Sequence, residues 1–443
     1  MTEEVAVTLL SSIENDRFVV ICGAGLSTPA PSNLPLAAEL AAVCKERHLT
    51  ENGVHIPDEH CADMEAMAAY FYMNPPLWNS FTERWIPWGK FNRHPNSGHE
   101  AIADFLKTGV SAFVVSTNPD RLIERAADRL GEPAFRAVVD ADDLQSAPTR
   151  HERLLKLHGC GDRDPRHTVW SRLQLDGERV QARIGALTTW LRANLPGKDL
   201  LIVGFWTDWE YLNAVLLASL NDASPRSVVL VNTANAGDLQ QKSPELWEWA
   251  NKAIFSHVAQ SAESFLDELR RRFSRQFFVK VLSLGVPAYQ KRFAGEPPDP
   301  DAVRPDMTTH DLYALRRDIC GVPSTEMPGL KEPGESHSLI GCLHLGLMAV
   351  GALLEGSFYN WRERTLRLVN GVGQVLSLVR ARFADESPVM VVDRAICVGA
   401  DDDGGAPPHL LRPGAVGDIV RHTQSAAWET HDALTDELRE AIE

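Results

Sequence analysis

The chain has 443 residues, 44% of them apolar, and its 60 acidic and 44 basic side chains leave a net charge of −16. That length fits two or three domains of about 150 residues and a core that needs no staples. The apolar share excludes wholesale disorder, and the acidic balance argues against a general phosphate-backbone binder, so direct nucleic-acid binding is not expected. The seven cysteines, at 22, 44, 61, 160, 320, 342 and 397, never stand at zinc-clamp spacing, and no metal is expected. The opening stretch MTEEVAVTLLSSIENDRF is acidic and lacks a basic, apolar leader pattern. With an odd cysteine count, this points to a reducing cytoplasm.

Short apolar runs alternate with helical patterns through the first 260 residues. Strands are expected at 18–22, 112–116, 135–139, 154–157, 200–203 and 228–231. Helices are expected at 37–47, 97–107, 120–130, 180–193 and 210–220. Strands apolar throughout and separated by helices predict an α/β fold, a Rossmann-like parallel sheet with helices on both faces. Such sheets bind ligands beyond the carboxyl ends of their strands.

Residues 261–275 read as an amphipathic helix, with Phe265, Leu266, Leu269 and Phe273 at helical spacing and Arg270–Arg272 as a solvated, macrodipole-favoured end. The Pro- and Gly-rich stretch 294–335 reads as an irregular extension. Residues 338–354, SLIGCLHLGLMAVGALL, carry no Asp, Glu, Lys or Arg but contain His344 and three glycines. They are short for a membrane span and read as a buried helix. A strand at 389–392, an acidic Gly-rich turn at 401–405 and a helix at 424–442 complete a smaller C-terminal region, mixed or mainly helical. The expected division is 1–275 as the catalytic domain, 276–335 as linker and 336–443 as a regulatory or oligomerisation domain.

The loops after the strands carry the candidate chemistry. The first strand runs into Cys22-Gly-Ala-Gly-Leu-Ser-Thr28, where closely spaced glycines let backbone amides approach a pyrophosphate or simply make a tight turn. The next ends in Val115-Ser-Thr-Asn-Pro-Asp120. There Asn118 and Asp120 either cap a turn and helix or hold ribose hydroxyls or a water. Leu155-Lys-Leu-His-Gly159 places His158 past a buried strand as a candidate general base. Gly204, in Ile202-Val-Gly-Phe205, can admit phosphate or backbone, and Asn232, in Leu230-Val-Asn232, can bond a ribose; a turn or cap is the default for each.

The order GAGLS, STNPD, KLHG, VGF, LVN resembles the sirtuin-like superfamily over roughly residues 10–270. The resemblance implies a domain that binds NAD in an extended groove, with Ala24, Gly25 and Ser27 near the phosphates. It implies Asn118, Asp120 and His158 as catalytic residues, and Gly23, Thr117, Gly204 and Asn232 as further NAD-binding positions. Sirtuin deacylases carry a four-cysteine zinc module after the His-Gly motif, whereas this chain has Cys160 alone there. In that respect it is similar to zinc-free members, mostly NAD hydrolases of bacterial antiphage systems. The resemblance therefore implies NAD as substrate, no metal, and products nicotinamide and ADP-ribose. Deacylation, ADP-ribosyl transfer and non-catalytic NAD or ADP-ribose binding are the alternatives. Family analogy also implies a homo-oligomer, no membrane association, and a possible partner such as a translocase-type ATPase.

Overall fold

The computed structural model describes residues 1–443 apart from 147–152, 208–209, 221–224, 304–306, 385–391 and 403–426. The chain folds as two compact units, one of Met1–Arg129 with Pro133–Glu268 and a second of Leu130–Glu132 with Leu269–Glu443.

The first unit is built on six strands: β1 (Phe18–Cys22), β2 (Val114–Ser116), β3 (Leu154–Lys156), β4 (Asp199–Val203), β5 (Ser227–Val231) and β6 (Ile254–Val258). All pair in parallel in the order β3-β2-β1-β4-β5-β6. This is the doubly wound order, and its reversal between β1 and β4 opens a crevice at their carboxyl ends. Every residue of β1, β4 and β5 is buried, as a sheet covered on both faces requires. Each large aliphatic side chain so placed contributes about 1.5–3 kcal/mol of burial.

The expected strand over 135–139 does not form. Only an isolated bridge, Val138 to Leu155, survives there. Conversely, β6 is not legible in the sequence, because it is an edge strand with Ser256 and His257 inside it and Ile254 70% exposed. The segment between β1 and β2 holds more structure than one helix. Helices Ala37–Asn52, Met64–Tyr72 and Pro75–Ser80 and a π-turn at Phe81–Trp85 share their own core, with Phe71, Trp78, Phe81, Trp85 and Trp170 in it.

In the second unit, β7 (Leu353–Glu355), β8 (Phe358–Trp361) and β9 (Arg364–Asn370) are antiparallel neighbours. Strands β10 (Arg394–Val398) and β11 (Ala427–Thr430) extend the sheet in parallel. The region is thus mixed. The 294–335 stretch contains a regular helix, Thr309–Cys320, opened by a Thr308/Asp311 capping box and closed by Gly321 at φ 67°. The amphipathic helix beginning at Ala262 runs on to Arg292. Arg270 is therefore inside the helix: it is 3% exposed, its guanidinium 4.4 Å from the Tyr313 ring centroid. The apolar 338–354 segment folds as helix Ser338–Ala349 followed by β7. Its Ile340, Leu343 and Leu347 join Leu366, Leu368 and Leu434 in the unit's core. No described helix is long and apolar enough to cross a membrane. The expected strand at 389–392 and turn at 401–405 lie largely outside the described residues. The final helix is His431–Ile442, because Ala427–Thr430 pair with β10 instead.

Candidate active site

At the β1–β4 reversal two glycine turns meet. Gly23 closes β1 and Ala24–Leu26 form one 3₁₀ turn, in which the Ser27 N–H donates to the Ala24 carbonyl at 2.9 Å. The Gly25 N–H donates to the Gly204 carbonyl at 2.8 Å. Gly204 has φ 61°, and a Cβ on it would lie 2.4 Å from the Leu26 nitrogen. Backbone therefore packs on backbone, and neither turn tolerates a side chain there.

Beside this turn, polar groups from three segments converge. The Ser27 hydroxyl donates to Asp120 Oδ2 at 2.9 Å and accepts from Asn118 Nδ2 at 3.2 Å. The other Asp120 oxygen accepts the Leu122 N–H at 2.9 Å and so starts helix Leu122–Arg129. Both Asp120 oxygens thus serve protein donors. Asn118 is anchored through its amide nitrogen, which leaves its carbonyl end as the one not committed to Ser27.

His99, which the sequence did not single out, supplies the third segment. It occupies the third position of helix Ser97–Lys107, whose N-cap is Asn96, and its Nε2 lies 3.1 Å from Ser27 Oγ. The Asn-x-x-His spacing of a capping box is the signal that points to it. Its tautomer follows from counting donors. Ser27 has one proton, and Asp120 takes it, so His99 must donate from Nε2 while Nδ1 accepts the Asn96 backbone N–H at 3.2 Å. Asn96 Oδ1 also lies 2.7 Å from Nδ1, a contact the other tautomer would satisfy. That tautomer would leave Ser27's single proton to serve two acceptors, so the Nε2–H form is preferred.

His158 differs from its neighbours. Its Nδ1 donates to the Thr117 carbonyl at 3.0 Å, while its Nε2 is buried with no hydrogen-bond partner among the described residues. Burial pushes its pKa down to about 4 against the Thr117 hydrogen bond, and the Arg183 guanidinium adds to the fall. The ring is neutral at pH 7 with an open acceptor nitrogen. Buried polar atoms are normally paired. Asp199 at the amino end of β4 obeys that rule, accepting from Arg17, Arg226 and Ser227 at 3.1, 2.9 and 2.6 Å. Several other buried polar atoms also go unmet, Trp170 Nε1 and Arg183 Nε among them, but His158 Nε2 is the one that belongs to a candidate catalytic side chain at the carboxyl end of the sheet.

The remaining expected positions are close by or spent locally. Thr117 lends its carbonyl to His158, and its N–H donates to the Cys22 carbonyl at 3.0 Å. Asn232 follows β5, two strands from β1, and its side chain accepts the Ala234 N–H at 3.0 Å within its own turn. Trp88 packs on Gly161, just past the His158 loop, so closely that a Cβ there would lie 2.1 Å from the indole ring. Ser27, Asn118, Asp120 and His158 are each at most 6% exposed. Cys160 is buried, and among the described residues no group of His, Cys, Asp or Glu is placed to hold a metal ion.

Residues 112–255 match the family model of the SIR2-like domain. That stretch is similar to a SIR2-like domain. The match takes in Asn118, Asp120, His158 and Gly204, and the Gly23–Ser27 turn precedes it. A curated relative is "NAD(+) hydrolase ThsA" of Acinetobacter baumannii (strain 532279), 27% identical over 203 residues. The alignment covers 44% of this chain and 38% of the relative, so the chain spans well under half of that protein's length. Among solved structures, a Sir2 homologue–NAD complex is 17% identical, covers 59% of this chain and 91% of its own, and has a TM-score of 0.33. A Sir2Tm structure with a propionylated peptide is 14% identical, covers 61% and 97%, and has a TM-score of 0.34.

Two expectations follow for the first unit. Nitrogen-15 spectra of the histidine rings should show His158 as the Nδ1–H tautomer and His99 as the Nε2–H tautomer. An Nδ1–H signal for His99 would remove the donor count given above. Acid should also weaken this unit early. Burial lowers His99 to about 4 as well, with Asp120 opposing and Lys156 adding to the fall. Unfolded histidines bind a proton near pH 6.5, so between about 6.5 and 4 the unfolded chain holds more protons than the folded one. Stability falls as pH falls through that window, by up to about 1.4 kcal/mol per pH unit for each of these histidines. Urea midpoints at about pH 7 and about pH 5 measure it, and His158→Phe should flatten the slope.

Proposed function

We propose that this chain hydrolyses the nicotinamide–ribose bond of NAD, giving nicotinamide and ADP-ribose. The observation that carries the reading is the buried Nε2 of a neutral His158, unpartnered among the described residues, on a ring whose Nδ1 is bonded to the Thr117 carbonyl, one residue before Asn118. The related NAD(+) hydrolase supports the choice of substrate.

In this reading the glycine turns at Gly23–Ser27 and Gly204 receive the pyrophosphate, with Ala24, Gly25 and Thr117 beside it and Asn232 toward the adenosine ribose. The C1′–N bond breaks, and nicotinamide leaves with the electron pair. A water oriented by the Asn118 carbonyl forms the new C1′–O bond and passes its proton to His158 Nε2. A pKa of about 4 is adequate, because a water bonding to an oxocarbenium carbon becomes strongly acidic. Asp120 holds the loop. Uncontrolled hydrolysis would exhaust the cell's NAD. Residues 269–443 are accordingly assigned control and self-assembly, and an antiphage role is the setting in which such control fits.

Purified protein incubated with NAD, alone and with an acyl-lysine peptide, tests the proposal. Free ADP-ribose and nicotinamide without peptide are the expected products. Release only with peptide would mean deacylation, and NAD binding without turnover would mean a binding module.

A further inference from the structure

Beneath the Asn118–Asp120 loop lies an ion pair that the proposed chemistry does not use. Lys156, the last residue of β3, is 1% exposed and Glu124, on helix Leu122–Arg129, is 3% exposed; Nζ and Oε1 are 2.9 Å apart. Lys156 Nζ also donates to the Asp120 backbone carbonyl. Burial alone would lower the lysine pKa, but Glu124, Cys160 and Asp120 outweigh it and hold the ammonium above its ordinary range. The lysine is thus charged, and its charge is placed with care.

Such a pair is a costly way to stabilise a fold, since two well-packed apolar side chains serve as well or better. What apolar side chains cannot do is donate to the Asp120 carbonyl. That carbonyl belongs to the residue whose side chain fixes Ser27, and through Ser27 the Asn118 amide. Lys156 also stands two residues before His158, so one side chain ties the His158 strand to the Asn118 loop. We propose that Lys156 is a positioning residue: held by Glu124, it sets the height of the Asn118–Asp120 loop against the His158 loop. The inference rests on the proposed NAD hydrolysis for its kinetic readout, but its structural readout is independent of any activity.

The test compares wild type, Lys156→Met and the double variant Lys156→Met/Glu124→Met in the full chain. Lys156→Met strands the Glu124 carboxylate and should lower Tm. The double variant removes both charges and should recover most of that Tm. If the pair only stabilised the fold, activity would return with Tm. A positioning role instead leaves kcat down about 10²-fold in the double variant with KM for NAD little changed, because a displacement of the order of 1 Å costs that much. Hydrogen exchange of backbone amides over residues 117–122 should be faster in both variants than in wild type. Recovery of wild-type kcat in the double variant, or unchanged exchange in that loop, overturns the inference. If wild-type protein does not cleave NAD, the functional reading fails, and the exchange comparison still decides the role of Lys156.

Discussion

His158→Ala protein is expected to lose about 10²–10⁴-fold of its NAD-cleaving rate, the usual contribution of a positioned general base. The substitution removes the buried ring nitrogen that no described residue satisfies. It also frees the Thr117 carbonyl, a secondary cost that His158→Gln limits by keeping a side-chain donor. Asn118→Ala should be equally damaging for a different reason: Ser27 loses the amide it accepts from, and in the proposed mechanism the attacking water would lose the carbonyl that orients it. Both proteins should fold, as near-ultraviolet circular dichroism and the urea midpoint will show. Because His158 is lowered to about 4, kcat should show no fall near pH 6.5 while the protein remains folded. Wild-type turnover in His158→Ala would remove the assignment of the base.

Gly204→Ala is expected to destabilise the first unit by about 2–4 kcal/mol and to abolish NAD binding. Two costs add. At φ 61° any Cβ is strained, by about 1–2 kcal/mol. The new atom would also sit 2.4 Å from the Leu26 nitrogen and 2.7 Å from the Gly25 carbonyl carbon, and backbone cannot step aside as a flexible side chain can. Gly197→Ala separates the two. Gly197 has φ 73° but no described atom within 4 Å of its Cβ position, so it bears the strain without the clash. Its loss should be about 1–2 kcal/mol, with NAD binding kept. Equal urea midpoints for the two variants would mean that the glycine turns do not press on one another.

By itself the sequence determined the character of the first unit and located candidate loops at the ends of its strands. Strands such as Phe18–Cys22 and Ser227–Val231 are apolar on both faces, a pattern that only a doubly covered parallel sheet satisfies. Because ligands gather beyond the carboxyl ends of such strands, reading their last residues led directly to Gly23, Asn118, His158 and Gly204. The helix at Ser338–Ala349 was legible for a similar reason, since twelve residues without a charge have to be buried. Tertiary structure alone decided the rest. The order β3-β2-β1-β4-β5-β6 makes Gly25 and Gly204 neighbours, a meeting that no local signal encodes. His99 was passed over because its Asn-x-x-His spacing marks a helix start, and only the arrival of Ser27 beside it makes it part of the site. Nothing in the local pattern pairs Lys156 with Glu124, and only the closing of the sheet and helix around them makes a buried pair. The edge strand β6 and the helix Thr309–Cys320 escaped notice because one is half-polar and the other is embedded in Pro- and Gly-rich chain. Local pattern reports what a segment must bury; which groups are then forced together depends on strand order and on the packing of segments distant in sequence.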